Sequence, residues 1–317
     1  MVTRTRIGSS DLEIARLALG GNVFGWTADR DTAFDVLDAF VAGGGDFVDT
    51  ADVYPSWAPG RSGGESEAII GEWLAARGAR DRVTVATKVG THPEFTGLAT
   101  RNVRAAADAS LRRLGSDRID LYYAHYDDPD TPLEETVAVF SELVDAGKVR
   151  WIGVSNYTAA RVSEWCDIAR AGGYHLPVAL QPHYNLVERH YETNGLREAA
   201  EKEGLGVFPY YSLAEGFLAG KYRDPDAAVA EGASERAEDA VRYLDSRGRL
   251  VLAALDDVAA LHGVDVAAVS LAWLRQQPTV TAPIVSARTT EQLPPLLASL
   301  DLELSAAELE ALTAASA

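Results

Sequence analysis

Short apolar runs, several of them β-branched, alternate with longer amphipathic stretches along almost the whole chain. No other sequence feature restricts the fold as much. Eight runs recur roughly 30 to 35 residues apart, the length of one strand-plus-helix unit. They cover residues 15–19, 47–49, 83–87, 119–124, 149–154, 178–180, 206–210 and 281–285. Between them, helical spacing of apolar residues marks 31–42, 65–77, 101–114, 133–146 and 158–171, and glycine or proline closes most of these stretches. Strict alternation implies parallel strands joined by crossover helices, and eight units favour a closed barrel over an open doubly wound sheet. A dinucleotide-binding open sheet places Gly-x-Gly-x-x-Gly directly after its first strand, whereas the first run here leads into Gly20-Gly21-Asn22-Val23-Phe24-Gly25, with the wrong spacing. The expected fold is therefore α/β, a (β/α)8 TIM barrel forming one domain over residues 1–317. Additional helices at 244–261, 266–276 and 305–315 and a long loop after strand seven, at 221–242 around Asp224-Pro225-Asp226, decorate it.

The charge balance narrows the partners. Lys+Arg 29 against Asp+Glu 47 leaves a net charge of −18, a field that repels phosphate backbones and anionic lipid headgroups. Neither nucleic acid nor a membrane surface is an expected partner. The one cysteine, Cys166, excludes an intrachain disulfide and, with no secretory apolar region near the start and no apolar run of about 18 residues, gives a cytoplasmic expectation.

In such a barrel the chemistry sits at the carboxyl ends of the strands. The residues found there are polar at nearly every strand: Asp49 with Tyr54 shortly after it, Lys88, His125, Ser155 with Asn156, Gln181, Tyr210, and Ser286 with Arg288. A phenol, with an ordinary pKa of about 10, donates a proton poorly near neutrality unless a nearby cation stabilises its anion. Lys88 offers that cation, Asp49 holds it charged and oriented, and His125 reaches the same substrate oxygen.

The chain resembles the aldo-keto reductase superfamily over essentially its whole length. The resemblance is carried by residues 44–54 (Gly-Gly-Asp-Phe-Val-Asp-Thr-Ala-Asp-Val-Tyr), Ala86-Thr87-Lys88, 119–125, Gly153-Val154-Ser155-Asn156-Tyr157, Gln181-Pro182-His183-Tyr184-Asn185-Leu186 and 216–222. It implies a catalytic tetrad of Asp49, Tyr54, Lys88 and His125, with Tyr54 as general acid in carbonyl reduction. It also implies NADPH or NADP bound across the barrel mouth, with Ser155, Asn156 and Gln181 on the nicotinamide carboxamide and Tyr210 stacked on its ring. Ser212, Leu213, Gly216 and Lys221 then lie along the diphosphate, and Ser286, Arg288 and Gln292 at the 2′-phosphate and adenine. Two departures stand out. Glu215 puts a carboxylate beside the diphosphate, which weakens binding unless it points to solvent, and Pro295-Leu296 replace the Glu-Asn with which many relatives grip the adenine. The expectation is looser NADPH binding and some use of NADH.

Other features have two readings. Ser155-Asn156 serves equally as an N-cap for the helix that follows. Trp26, Trp57 and Tyr126, in loops after strands one, two and four, either wall an apolar substrate pocket or simply pack there. Gly63-Gly64-Glu65-Ser66-Glu67 reads as a flexible lead-in and N-terminal charge for the second helix. His92, His183 and His190 lack metal-ligand spacing, so no metal is expected. The function expected is NADPH-dependent reduction of a small-molecule aldehyde or ketone. The alternative is a cofactor-sensing regulatory subunit of the potassium-channel β-subunit type, which retains the tetrad; the short stretch before the first run gives the expectation of the free enzyme. Substrate identity and oligomeric state stay open at this point.

Overall fold

The computed structural model describes residues 3–224, 226 and 237–317. Eight parallel strands form its centre: β3 (Ala18–Gly20), β4 (Phe47–Asp49), β5 (Thr84–Val89), β6 (Ile119–Ala124), β7 (Val149–Ser155), β8 (Pro177–Gln181), β9 (Gly206–Val207) and β10 (Ile284–Val285). They pair in the order β10-β3-β4-β5-β6-β7-β8-β9. The ring closes between its end strands, where Thr281 N donates to Val207 O at 2.8 Å and Ile284 N to Pro209 O at 2.9 Å. This is a (β/α)8 barrel.

Its interior alternates small and large side chains. Ala18, Ala86, Ala179 and Ala282 leave room for Phe47, Leu121, Tyr123 and Phe208, and the Phe47 and Phe208 rings stack with centroids 5.0 Å apart. A buried aromatic of this kind contributes about 1.5–3 kcal/mol through area removed from water. The floor is shut by a hairpin, β1 (Arg4–Arg6) and β2 (Glu13–Ala15), which pair antiparallel. Its Ile7, Leu12 and Ile14 join the interior cluster. Gly8 in its turn has φ +49°, and a Cβ there would sit 2.3 Å from Val178 O, so the hairpin seats on β8 only because this residue has no side chain.

The outer ring comprises α1 (Arg30–Ala42), α2 (Glu65–Arg77), α3 (Thr100–Leu114), α4 (Leu133–Asp145), α5 (Ala159–Gly172) and α6 (Leu196–Glu203). In α3, Val103, Ala106, Ala107, Ser110 and Leu114 face the barrel at helical spacing, and Gly115, at φ +58°, ends the helix. Beyond β9 come α7 (Ala237–Val241), α8 (Ser246–His262), α9 (Val266–Arg275), and after β10 α10 (Leu293–Ala298) and α11 (Ala306–Ala315). The added helices expected from the sequence are α8, α9 and α11.

Several details differ from expectation. The run 15–19 spans the end of β2 and the start of β3, broken at Arg16-Leu17. Strands nine and ten are only two residues long, because Pro209 and Pro283 bring no N–H to the ladder. Within the segment 221–242, residues Ala237–Val241 are helical rather than loop; Pro225 and residues 227–236 lie outside the described residues.

Candidate active site

Three neighbouring strands deliver the first group of side chains to the carboxyl rim. β4 ends on Asp49, β5 carries Lys88, and His125 follows β6 directly. Lys88 is fully buried and Asp49 3% exposed. The Lys88 ammonium donates to Asp49 Oδ2 at 2.6 Å and to Thr50 O at 2.7 Å, and reaches the Tyr54 hydroxyl at 3.4 Å. The Tyr54 and His125 rings meet edge-on, centroids 5.9 Å apart. Burial lowers the pKa of Lys88, and Asp49 beside it opposes that shift. His125 is held well below the usual histidine value, first by burial and then by the Lys88 charge, so its imidazole is neutral. Thr91 Oγ1 lies 3.2 Å from His125 Nδ1; with that hydroxyl donating, the imidazole proton resides on Nε2.

A second group, from β7 to β9, is linked to the first by hydrogen bonds. Gln181 Nε2 donates to the other Asp49 oxygen, Oδ1, at 2.9 Å. Ser155 Oγ donates to Gln181 O at 2.9 Å, and Asn156 Nδ2 to His125 O at 2.9 Å. Tyr210 OH donates to Asn156 Oδ1 at 2.8 Å. One face of the Tyr210 ring stacks on His183, 5.3 Å away. The capping reading of Ser155-Asn156 is corrected here. The N-cap of α5 is Thr158, whose side chain accepts from Arg161 N, so neither residue is spent on the helix.

A cleft of about 810 Å³ runs across the rim from Tyr54 to Arg288. Ser212, Leu213, Gly216 and Lys221 line its middle; the Ser212 hydroxyl itself is turned to Pro209 O. Lys221 and Arg288 repel one another. Burial and that repulsion lower the Lys221 pKa. Ser286 Oγ donates to Asn22 Oδ1 at 2.7 Å, and Gln292 Oε1 accepts from Arg288 N at 2.8 Å, fixing the loop that bears the guanidinium. Pro295 and Leu296 line the far end. Glu215, in the left-handed region at φ +59°, does not point to solvent: its side chain is 7% exposed and lies 3.4 Å from Arg242.

At the opposite end the wall is aromatic. Trp26 packs edge-on against Trp57 at 5.7 Å, Trp57 against Tyr54 at 5.5 Å, and Tyr126 against His125 at 5.1 Å. Trp57 and Tyr126 remain about half exposed, and all three line the cleft.

Sequence reasoning missed four participants. Thr91, Asn22 and Tyr211 lie in rim loops; Tyr211 lines the cleft from a left-handed backbone at φ +52°. Asp52 is wholly buried behind the rim, and burial, with Glu67 second, raises its pKa well above the usual carboxylate range. The Gly63–Glu67 stretch also does more than begin a helix. Glu65 accepts from Ser62 N and Gly63 N, and buried Glu67 accepts from Thr87 Oγ1 at 2.5 Å and pairs with Arg113 at 2.6 Å. Among the described residues no group of three or more His, Cys, Asp or Glu is arranged to hold a metal ion, and no helix is long and apolar enough to cross a membrane.

Residues 16–317 match the model of the aldo/keto reductase family. The chain belongs to that family. It is 34% identical to Protein tas of Escherichia coli, over 96% of each chain. An uncharacterized oxidoreductase, YrpG of Bacillus subtilis, is 35% identical over 95% of this chain and 91% of its own. Norsolorinic acid reductase stcV of Emericella nidulans is 33% identical over 94% of this chain and 77% of its own. This aldo/keto reductase thus has oxidoreductases among its relatives.

Proposed function

We propose that residues 1–317 act as one catalytic domain, an NADPH-dependent reductase of small aldehydes or ketones in the cytoplasm, with Tyr54 as general acid. The observation that carries this reading is the lysine placed between Asp49 Oδ2 at 2.6 Å and the Tyr54 hydroxyl at 3.4 Å. When the Tyr54 proton passes to a carbonyl oxygen, negative charge is left on the phenol, and the buried ammonium beside it offsets that charge. Asp49 keeps Lys88 charged and in place against the burial that disfavours its cationic form. Neutral His125, its Nδ1 facing Thr91, donates from Nε2 toward the same oxygen.

A nicotinamide dinucleotide phosphate fits the residues present. Bound there, it supplies the hydride. Lys221 and Arg288 repel one another across the cleft of a chain whose net charge is −18, an arrangement that a diphosphate and a 2′-phosphate compensate. In this reading Ser155, Asn156 and Gln181 hold the carboxamide, and Tyr210 packs on the ring with its outer face, the inner one being taken by His183. Ser212, Leu213, Gly216 and Lys221 follow the diphosphate, and Ser286, Arg288 and Gln292 the 2′-phosphate and adenine. Trp26, Trp57 and Tyr126 hold the substrate beside Tyr54. Oxidation of NADPH by a panel of aldehydes and ketones tests the proposal. Sustained multiple turnover is expected. A cofactor that stays bound through purification with negligible turnover would replace the reductase with a sensing role, and failure to bind NADPH would remove both.

A further inference from the structure

The two oxygens of Asp49 are divided between the two halves of the site. Oδ2 accepts from Lys88 and Oδ1 from Gln181 Nε2. An ionised carboxylate has no proton to give, so the end of the Gln181 amide that faces it must be the nitrogen. The amide oxygen is then directed away from Asp49, on a side chain that lines the cleft. Both groups are 3% exposed, and the Gln181 backbone carbonyl is anchored by Ser155, which limits how the amide can turn. Burial and then the Asp49 charge push the pKa of Tyr123 up while contact with Gln181 opposes them, so the Tyr123 hydroxyl, although short of hydrogen-bond geometry, is a competitor for the Gln181 amide.

We propose that Asp49 is a positioning residue for the cofactor's carboxamide as well as for Lys88: by fixing the Gln181 amide it makes the site present an acceptor there, selecting a ligand that carries an N–H donor. The inference rests on the nicotinamide reading above. One carboxylate then serves both acid chemistry and ligand orientation, and removing its charge has a distinctive consequence. In Asp49→Asn the ammonium of Lys88 claims the new carbonyl oxygen, which turns the Asn nitrogen toward Gln181. Gln181 must then flip to accept, and it presents its own NH2 to the cleft.

The test compares binding of NADP+ with that of its 3-acetylpyridine analogue, in which a methyl group replaces the carboxamide NH2, by quenching of tryptophan fluorescence. The wild-type chain is expected to prefer NADP+ about tenfold, the worth of one hydrogen bond. Asp49→Asn is expected to reduce that preference to about twofold or less, or to reverse it. Gln181→Met, which leaves the Lys88 pair intact, should abolish it, while Tyr123→Phe should keep it. If Asp49→Asn does not fold, Asp49→Leu with Lys88→Met removes the acceptor without stranding a charge and is expected to lose the preference as well. A folded Asp49 variant that retains the full preference, or a wild-type chain with none, overturns the inference and leaves the reductase reading standing. A wild-type chain that binds neither nucleotide overturns the reductase reading itself.

Discussion

Lys88 and Asp49 meet at 2.6 Å with the lysine wholly, and the aspartate almost wholly, withdrawn from water. Such a pair is a poor investment in stability, because desolvating two charges costs about what their attraction returns. In the proposed mechanism its value lies in the third partner, the Tyr54 hydroxyl at 3.4 Å. Breaking the pair from one side is expected to be costly. Lys88→Met should lower unfolding free energy by about 3–5 kcal/mol and abolish turnover, whereas Asp49→Leu with Lys88→Met should regain most of the stability and none of the activity. Urea denaturation alongside activity separates the two effects; equal stability of the single and double variants would show that the buried charge is not the cause.

Tyr54→Phe removes one transferable proton and little else. Carbonyl reduction should fall by a factor of about 10² to 10⁴, while the NADPH dissociation constant stays within about twofold. Steady-state kinetics and fluorescence titration check both numbers, and a variant retaining most of its turnover would move the acid role elsewhere.

The pH dependence of stability follows from His125. Burial depresses its folded-state pKa below the unfolded value of about 6.5, so the unfolded chain binds the extra proton. The associated stability is complete above about pH 6.5 and is lost as pH falls from there toward the folded value. His92 and His183 are shifted the same way, mainly by burial, and add to the slope. Denaturation of His125→Gln across this range should show a slope shallower by up to about 1.4 kcal/mol per pH unit. An unchanged slope would mean that this imidazole is already accessible to protons in the native state.

Arg288→Ala should weaken NADPH by about tenfold or more and leave NADH nearly unaffected, since only the former carries a 2′-phosphate. Lys221→Ala should weaken both alike. With Pro295 and Leu296 offering no side-chain hydrogen bond at the far end of the cleft, the wild-type chain should bind NADPH loosely and tolerate some NADH. Tight binding with strong selectivity for NADPH would refute this.

Glu215 puts a negative charge into the cleft and holds a conformation, φ +59°, that side chains rarely adopt. Glu215→Gly should therefore tighten NADPH several-fold and raise stability by roughly 1 kcal/mol. Weaker binding would mean that Glu215 acts by holding Arg242, its neighbour at 3.4 Å, where the nucleotide needs it.

Parts of this were legible without coordinates, for identifiable reasons. Residues 47–49 and 119–124 form the expected strands with the expected limits because no glycine or proline interrupts their apolar runs, and 65–77 forms the expected helix although Gly71 lies within it, where a Cβ would meet Arg113 O at 2.3 Å. Asp49, Lys88, His125 and Gln181 were readable as rim residues because parallel topology places strand ends on one face. The hairpin was not, since Arg4-Thr5-Arg6 shows no apolar run and its partner is set by a turn at Gly8. Thr91, Asn22 and Tyr211 escaped because loop conformation decides where they point. The burial of Glu67 depends on Arg113, 46 residues away, a pairing that local sequence does not encode.

The floor hairpin closes the end of the barrel opposite the cleft. Ile7, Leu12 and Ile14 cork the far end against the interior aromatics, so nothing passes through the barrel. A ligand that reaches Tyr54 and Lys88 therefore comes and goes over the rim, where the half-exposed rings of Trp57 and Tyr126 stand beside it.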